Sequence, residues 1–410
     1  MSAPACRLLS LKAYSFELPM QASFAHASHV HRSACGVLVE ADFGVVCGWG
    51  EAAPRLYVTN ETVASVLEEI RHLDISRLAE DLFLDEFDSA LRRIASIEDY
   101  FSDHPVGRNT RCAVEIALLD ALLTYHQMSF LDLFEQLYPM NGLVRESALR
   151  FTLVADLNDL DQLVARLMAS DAQMPARIKL KVTRDLAKAE QVLRPLRALA
   201  PQCQLALDVN EGWSVEQFFE AGRRLEGLNI ASIEEPLKAR SWGALASFRR
   251  QFDIAIMLDE SVCTMADLLE AASQDAFDTL NVRLAKCGGV FESLRMIDAA
   301  RLLNKSVYFG VHIGEVGPLW ASQRALAACF SDRCGVEVGQ QDRWFSKATT
   351  APAYCVDRDN HTASVVSGLG HGVSPSPFLK RHLREEVLLR PVGSNHSTAK
   401  QHGLDIVNGS

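Results

Sequence analysis

The chain has 410 residues, which is long for one compact domain, and a formal net charge of −11 at pH 7. This acidic balance, with no dense block of Lys and Arg, argues against nucleic acid or an anionic membrane as partner, so we expect a small-molecule ligand. The sequence has no signal-peptide pattern, no apolar run of about 18 residues and no CxxC pair among its ten cysteines, so we expect a cytoplasmic protein with reduced thiols.

The first third of the chain is predicted to form an α+β domain, at residues 1–145. Residues 7–58 alternate apolar and polar positions in short runs separated by Gly and Pro, which is typical of a small antiparallel sheet. From residue 60 to about 137 the period becomes helical, in TVASVLEEIRHL, FDSALRRIASI and RCAVEIALLDALLTYHQMSFLDLF. A sheet followed by helices describes an α+β domain.

The middle of the chain, residues 146–342, is predicted to form a barrel. Short apolar strands alternate there with helical segments, and the strands are LRFTLVA, ARIKLKV, CQLALDV, IASIEEP, IAIMLDE, TLNVRLA and SVYFGVH. Seven such units, with GVEVG as a further strand and no GxGxxG motif, favour a closed barrel over an open sheet. We expect residues 343–391 to pack back on the first domain and residues 392–410 to form a disordered tail.

Three successive predicted strands end in a carboxylate. These are Asp208, Glu234 and Asp259, which lie 26 and 25 residues apart, about one βα repeat each. Barrel active sites sit at the C-terminal ends of the strands, so we expect the three groups to converge there. Carboxylates that cap the following helices are the alternative, but three in register favour a bound cation, and oxygen ligands suit Mg²⁺.

Lysines flank this carboxylate cluster on both sides. Lys179 and Lys181 share one face of the preceding strand, and Lys286 ends TLNVRLAK, 27 residues after Asp259. We interpret Lys181 and Lys286 as an acid/base pair that reaches a ligand from two faces, and Lys179 as a counter-charge deeper in the barrel. A lysine base needs its pKa lowered from about 10.4, which burial and nearby cations would promote.

The pattern resembles the enolase superfamily, and within the mandelate racemase/muconate lactonizing enzyme family the muconate lactonizing enzyme subgroup. The shared features are KxK on the second strand, Asp, Glu and Asp on the next three, and Lys on the sixth. Four further segments are similar to sequence motifs of this family, namely RCAVEIALLDA, GWGEAAPR, SIEEPL and AKCGG. The resemblance implies an α/β fold, a modified (β/α)7β TIM-like barrel with an α+β N-terminal capping domain, and a homo-oligomer.

The resemblance also assigns roles to residues. Asp208, Glu234 and Asp259 would hold Mg²⁺, or Mn²⁺ instead, and Lys181 and Lys286 would be the catalytic lysines. Glu234 is preferred to Glu235 because the family's ligand is the first residue after the apolar run. The supporting residues around them would be Lys179, Asn210, Asn281 and Arg283.

The implied chemistry is removal of a proton α to a carboxylate through a stabilised enolate, the half-reaction of this superfamily. Lysines on both faces predict a racemase or epimerase of an amino-acid derivative or dipeptide. The same pair also serves a cycloisomerase or a syn-eliminating lyase of the muconate or o-succinylbenzoate type, and the lysines alone do not decide between them. A non-catalytic barrel is disfavoured, because such a protein has little reason to keep mutually repelling charges together.

Specificity in this family comes from loops of the capping domain, here ASFAHASHVHRSA and EAAPRLYVT. We expect Phe24, His26 and Tyr57 to contact substrate, and Arg55 either to bind a second anionic group or to anchor its loop. The loop's HxxHxH pattern is interpreted as polar lining rather than a metal site.

The ends of the last two predicted strands are the least familiar part of the sequence. His312 and Glu315 are predicted to contact substrate or to be structural, since NVRLAK offers no Asp for a His/Asp base dyad. GVEVGQQD lacks the DxD pair with which dipeptide epimerases of this subgroup hold an ammonium group. This difference weakens a dipeptide assignment.

Overall fold

The computed structural model describes residues 6–25, 30–101, 106–138, 147–156, 164–165, 168, 173–182, 186–330 and 335–392. The strands are β1 (Ser10–Ala25), β2 (Val30–Asp42), β3 (Cys47–Ala52), β4 (Ala148–Arg150), β5 (Leu153–Asp156), β6 (Arg177–Lys181), β7 (Gln204–Asp208), β8 (Ile230–Glu234), β9 (Ala255–Leu258), β10 (Thr279–Val282), β11 (Ser306–Phe309), β12 (Thr350–Ala351), β13 (Thr362–Ser364), β14 (Ser374–Pro375) and β15 (Leu383–Leu389). The helices are α1 (Leu56–Thr59), α2 (Val63–Arg71), α3 (Ile75–Asp81), α4 (Phe87–Ala95), α5 (Arg108–Tyr125), α6 (Phe130–Leu137), α7 (Leu186–Leu199), α8 (Val215–Leu225), α9 (Trp242–Arg249), α10 (Met265–Ser273), α11 (Leu284–Cys287), α12 (Val290–Leu302), α13 (Pro318–Phe330), α14 (Gln341–Trp344) and α15 (Pro377–Lys380), with a 3₁₀ turn at Ile97–Tyr100.

The N-terminal part is an antiparallel sheet in the order β15-β1-β2-β3, covered by helices. Helix α5 packs closely on β3, and Gly50 permits this because it has no side chain. A Cβ at Gly50 would lie only 1.9 Å from the carbonyl oxygen of Ala113. The last strand in sequence, β15, pairs with β1, so the C-terminal segment completes the sheet of the first domain.

The central part is a seven-stranded parallel sheet in the order β11-β10-β9-β8-β7-β6-β5. The segment around Val336 closes the sheet. Val336 forms a bridge with Phe309, the last residue of β11, and its carbonyl accepts a hydrogen bond of 2.8 Å from Thr152 N beside β5. GVEVG thus occupies the eighth strand position as a single bridge. The predicted barrel with an α+β capping domain is confirmed, whereas the domain boundaries stay predictions and residues 393–410 lie outside the described part.

Two predicted elements differ from the structure. Strand β10 ends at Val282, so Lys286 does not end a strand but lies in the short helix α11, which Gly288 terminates with φ 96°. The long helical run predicted after residue 110 divides into α5 and α6, because Gln127 adopts φ 56° and Ser129 caps α6. Within the described residues no helix is long and apolar enough to cross a membrane.

Three buried carboxylates of the capping domain bind main-chain groups of the rest of the protein. Glu51 accepts hydrogen bonds from the N–H groups at the start of α13, and Glu115 accepts them from the start of α12. Asp120 accepts a hydrogen bond of 3.0 Å from His371 N in the C-terminal segment. A helix start carries unpaired N–H donors, so Glu51 and Glu115 join the capping domain to the barrel, while Asp120 holds the C-terminal segment.

Candidate active site

The predicted charged residues lie in the order Lys, Asp, Glu, Asp, Lys across the barrel. Lys181, Asp208 and Glu234 end three adjacent strands in direct register. Asp259 follows the last residue of β9, the next strand in the sheet, and Lys286 follows β10. The barrel therefore brings these five side chains to its C-terminal rim, although the roles assigned to them stay predictions.

Asp208 is paired with Lys181, whose Nζ lies 2.8 Å from Asp208 Oδ2. The same Nζ donates to Asn210 Oδ1 at 2.9 Å. Burial raises the pKa of Asp208, but the ammonium groups of Lys181 and Lys179 outweigh it and lower the pKa to about 2. Asp208 is therefore an ionised carboxylate.

Glu234 is fully buried at the centre of the cluster. Lys179 Nζ contacts Glu234 Oε2 at 2.8 Å, and Asn281 Nδ2 donates to Glu234 Oε1 at 2.7 Å. Burial and the negative charges of Asp208 and Asp259 raise the pKa of Glu234 to about 7, against the opposing effect of Lys179. The three carboxylates are thus close enough to repel one another.

The neighbouring Glu235 points elsewhere. Its Oε2 accepts hydrogen bonds from Asp259 N at 2.7 Å and Ser261 N at 3.1 Å. Glu235 therefore fixes the loop after β9, while Glu234 faces the barrel interior.

Asp259 carries an ion pair on each oxygen. Arg283 Nη2 contacts Oδ2, and Lys286 Nζ lies 3.1 Å from Oδ1. Neither oxygen receives a hydrogen bond of good geometry from a described residue. Burial raises the pKa of Asp259 despite the neighbouring Arg283 guanidinium.

Lys286 is fully buried and held by main-chain carbonyls. Its Nζ donates to Asp259 O at 2.8 Å and to Asn281 O at 2.6 Å. Burial lowers the pKa of Lys286, but the Asp259 carboxylate outweighs it and the pKa is raised. The nearest charge to Lys286 among the described residues is thus an anion, and the lowering of its pKa expected beside a bound cation stays a prediction.

The donor set can be compared with the needs of a divalent cation. Among the described residues no group of three or more His, Cys, Asp or Glu side chains is placed so that it could hold a metal ion, and each of the three carboxylates contacts a cationic side chain. The chemistry of the set nevertheless fits a hard cation, since all three groups are buried oxygen donors that repel one another.

Glu337, on the eighth strand position, belongs to the site and was not predicted. Its Oε1 lies 2.6 Å from Lys179 Nζ, and its Oε2 accepts a hydrogen bond from Val311 N at 3.2 Å. Lys179 therefore lies between two carboxylates, Glu234 and Glu337. The sequence feature that could have indicated Glu337 is its position between two valines in GVEVG. Side chains alternate along a strand, so Glu337 points to the opposite face from both valines.

A second unpredicted carboxylate, Glu260, lies beside the predicted Asn210. Asn210 Nδ2 donates to Glu260 Oε1 at 3.2 Å. The charge of Glu260 also acts on Tyr57 of the capping domain, together with those of Arg55, Arg283 and Lys181. Tyr57, which was predicted to contact substrate, therefore lies near the rim of the site, and its contact with substrate stays a prediction.

Arg55 binds carbonyl groups. Its Nη1 donates to Pro54 O at 2.8 Å and its Nη2 to Ile313 O at 2.7 Å. These contacts support the interpretation of Arg55 as a loop anchor. Phe24 lies in β1 opposite His31, and His26 lies outside the described residues, so their predicted contacts with substrate stay predictions.

His312 and Glu315 lie on the loop that follows β11. Arg55 donates a hydrogen bond to Ile313 O of this loop, and Glu51 accepts one from Val316 N. Glu315 Oε1 accepts a hydrogen bond of 2.7 Å from His312 N, which gives Glu315 a structural role. Burial, with the charges of Arg283, Arg55 and Lys286, lowers the pKa of His312 well below its ordinary value. His312 is therefore a neutral ring near the cations of the site.

Comparisons with known proteins agree with this architecture. The sequence profile of the family described as Enolase C-terminal domain-like matches residues 162–378. The chain is similar to an aromatic dipeptide epimerase of Herpetosiphon aurantiacus, with 29% identity over 309 residues, covering 73% of this chain and 81% of that protein. It is similar to an o-succinylbenzoate synthase of Listeria innocua, with 25% identity over 388 residues, covering 91% and 96%.

The fold is also that of solved structures. A dipeptide epimerase from Enterococcus faecalis, complexed with Mg and the dipeptide L-Leu-L-Tyr, aligns with a TM-score of 0.76 and 20% identity over 90% of this chain and 99% of that one. The profile match covers more than half of the chain. The protein therefore belongs to the Enolase C-terminal domain-like family, and the resemblance to the enolase superfamily is confirmed.

Proposed function

We propose that the protein is a racemase or epimerase that removes and returns the proton on the carbon α to a carboxylate, in an amino-acid derivative or a dipeptide. The observation that carries this is the flanking of three buried carboxylates by Lys181 on one side and Lys286 on the other. Proton removal on one face and return on the other inverts the carbon centre. The similarity to a protein named as an epimerase supports the same reaction class.

We further propose that Asp208, Glu234 and Asp259 hold Mg²⁺, with Mn²⁺ as the alternative ion. Support comes from the buried oxygen donors, their mutual repulsion, and a structural neighbour solved with Mg. When bound, the ion would supply Lewis-acid stabilisation of the negative charge that develops on the substrate carboxylate.

The chain's own residues hold and move the proton. Lys181 Nζ would accept it from one face, Lys286 Nζ would donate one from the other, and the two exchange roles for the opposite enantiomer. Lys179 has a different part: burial lowers its pKa, but Glu234 and Glu337 outweigh this and raise it well above the ordinary value. Lys179 therefore stays charged and stabilises the enolate and the cluster electrostatically.

The test is α-proton exchange in D₂O with Mg²⁺, followed by mass spectrometry. The panel contains L-Leu-L-Tyr and other dipeptides, N-acylamino acids and related carboxylates. We expect exchange with inversion in the wild type and no change in the exposed control Lys380→Ala. Lys181→Ala and Lys286→Ala should both lose inversion, and each should keep exchange only of the stereoisomer that the remaining lysine deprotonates. Absence of exchange across the panel, or inversion that persists in either lysine variant, would overturn the proposal.

A second candidate is elimination of water, as in an o-succinylbenzoate synthase. The observation that favours it is the similarity to such an enzyme over 96% of that enzyme's length. One lysine would then act as acid/base while the other stabilises charge. Loss of water from a hydroxylated substrate, seen by mass, would identify this activity, whereas an epimerase leaves the mass in H₂O unchanged.

We also propose a cytoplasmic homo-oligomer whose partner is a small-molecule carboxylate. The family resemblance supports assembly, and the nine cysteines in the described part of the chain are free thiols, as in a reducing compartment. Light scattering on the purified protein tests assembly, and a mass equal to one chain would contradict it.

A further inference from the structure

The two lysines of the site are held in different ways. Lys286 Nζ donates to two main-chain carbonyls, Asp259 O and Asn281 O. Lys181 Nζ instead donates to two side chains, Asp208 Oδ2 at 2.8 Å and Asn210 Oδ1 at 2.9 Å. The backbone thus fixes Lys286, whereas the position of the Lys181 amine depends on how other side chains are oriented.

The orientation of Asn210 is set by Glu260. Asn210 Nδ2 donates to Glu260 Oε1 at 3.2 Å, so the amide oxygen faces Lys181. A flipped amide would place its NH₂ group against the ammonium and its oxygen against the carboxylate, and both contacts would be repulsive. Glu260 therefore determines which end of the amide meets the lysine.

The main chain at Asn210 and at the following residue, Glu211, is constrained. Asn210 and Glu211 adopt φ 45° and 60°, in the left-handed region that few non-glycine residues occupy. Glu211 N donates to Glu235 O at 2.7 Å, and Asn210 N to Asp208 Oδ1 at 3.3 Å. Such strain persists only where surrounding contacts impose it, and it is concentrated at functional sites.

The main chain on either side of Glu260 is held by hydrogen bonds to another carboxylate. The Glu235 carboxylate accepts hydrogen bonds from the main-chain N–H groups of Asp259 and Ser261, on either side of Glu260. The main chain of Glu260, which follows the fifth barrel strand, is therefore fixed. From there its side chain reaches Asn210, which follows the third barrel strand.

We propose that Glu260 is a positioning residue for Lys181, acting through the side-chain amide of Asn210. The inference rests on the proposed epimerase function, in which each lysine handles the proton on one face. It has a consequence that a general structural role lacks: loss of Glu260 impairs proton transfer on the Lys181 face and spares the Lys286 face.

The test uses the panel compound that the wild type exchanges, for example L-Leu-L-Tyr, and measures α-deuterium exchange with Mg²⁺ separately for its two configurations at the carbon α to the carboxylate, here L-Leu-L-Tyr and L-Leu-D-Tyr. The stereoisomer whose exchange is lost in Lys181→Ala defines the Lys181 face. We expect Glu260→Ala to slow exchange on that face about 10- to 100-fold and on the other face less than about threefold, because misplacement of a catalytic group by about 1 Å costs rates of this order. Glu260→Gln keeps an acceptor oxygen and should restore most of the lost rate.

A matched control and a double variant make the assignment specific. Glu211 lies next to Asn210, but its carboxylate binds Ala239 N, so Glu211→Gln should leave both exchange rates unchanged. If Glu260 acts through Asn210, the double variant Asn210→Ala/Glu260→Ala should be no slower than Asn210→Ala alone. Additive losses, or equal losses on both faces, would overturn the proposal.

A second measurement does not depend on the substrate. Acetic anhydride labels accessible amines, and peptide mass spectrometry reads each lysine separately. The side chain of Lys181 is 14% exposed, so its labelling should rise severalfold in Glu260→Ala, while that of Lys286, which is 0% exposed, stays constant. Unchanged labelling of Lys181 would overturn the positioning role, whereas absent exchange of every panel compound in the wild type, with altered labelling of Lys181, would overturn the proposed function alone.

Discussion

Buried carboxylates occur in two regions of this molecule, and their partners differ. At the barrel rim, Asp208, Glu234 and Asp259 face ammonium and guanidinium groups. Between the domains, Glu51 and Glu115 each accept hydrogen bonds from main-chain N–H groups at the start of a helix. Both groups of carboxylates lie out of contact with solvent.

The difference separates a reactive arrangement from a structural one. Fixed N–H donors reach both oxygens of Glu51 and Oε1 of Glu115, so these contacts form without a neighbouring ion. At the rim, the charges of Asp208 and Asp259 help burial to raise the pKa of Glu234, and the cationic partners of the three carboxylates include the lysines proposed to carry protons. Removal of charge should therefore affect mainly activity at the rim and mainly stability between the domains.

Metal removal should have the largest effect, and only at the rim. We expect EDTA to reduce α-proton exchange to background and Mg²⁺ to restore it. Binding at about 100 times its dissociation constant should also raise the unfolding free energy by about 2.7 kcal/mol. Calorimetry with and without Mg²⁺ measures this gain, which should vanish in Glu234→Gln and remain in Glu51→Gln.

Glu234→Gln should lower exchange about 100- to 1000-fold, the range found when one strong electrostatic contact to a transition state is removed. The amide keeps an acceptor for Lys179 and relieves repulsion with Asp208 and Asp259, so urea unfolding should change by less than about 1.5 kcal/mol. Comparable exchange in the variant and the wild type would exclude Glu234 from the chemistry.

Glu51→Ala should have the opposite profile. It leaves three buried N–H groups at the start of α13 without an acceptor, so we expect a loss of about 2–4 kcal/mol in the free energy of unfolding. Exchange at saturating substrate should fall far less than in Glu234→Gln. The control Glu68→Ala, at an exposed ion pair, should change stability by less than about 0.5 kcal/mol.

The last effect concerns stability alone, as a dependence on pH. Burial raises the pKa of Glu51 to about 7 and that of Glu115 to about 8, against the lowering effect of their N–H donors and neighbouring arginines. A carboxyl group with a raised pKa in the folded state adds stability below its ordinary pKa, and this is lost as the pH rises through the folded value.

Glu51→Gln should therefore match the wild type near pH 4.5 and exceed its stability at pH 8, by up to about 3 kcal/mol at roughly 1.4 kcal/mol per pKa unit. Urea unfolding at several pH values measures the difference. A variant that is less stable than the wild type at pH 8 would mean that the N–H donors outweigh burial.

The sequence allowed the fold and the charged rim to be predicted, because both follow from local repetition. Asp208, Glu234 and Asp259 each follow an apolar run at a spacing of one βα unit, and such runs lead to adjacent strands. Lys286 was predicted on a strand, but NVRLAK gives no local sign that the strand ends at Val282 and a helical turn begins.

The residues that were missed depend on contacts between distant parts of the chain. Glu51 meets the start of α13 more than 260 residues later, and Glu337 meets Lys179 across the closed barrel. Their types alone are ordinary in a strand context. Only the packing of the two domains and the closure of the barrel give these carboxylates their partners.

The pairing of β15 with β1 has a consequence for the synthesis of the protein. The first strand to leave the ribosome acquires its outer neighbour only when residues 383–389 have been made. Until then β1 is an unpaired sheet edge, the kind of surface at which nascent chains associate wrongly. A chain truncated before Leu383 should therefore aggregate even though every residue of the barrel rim is present.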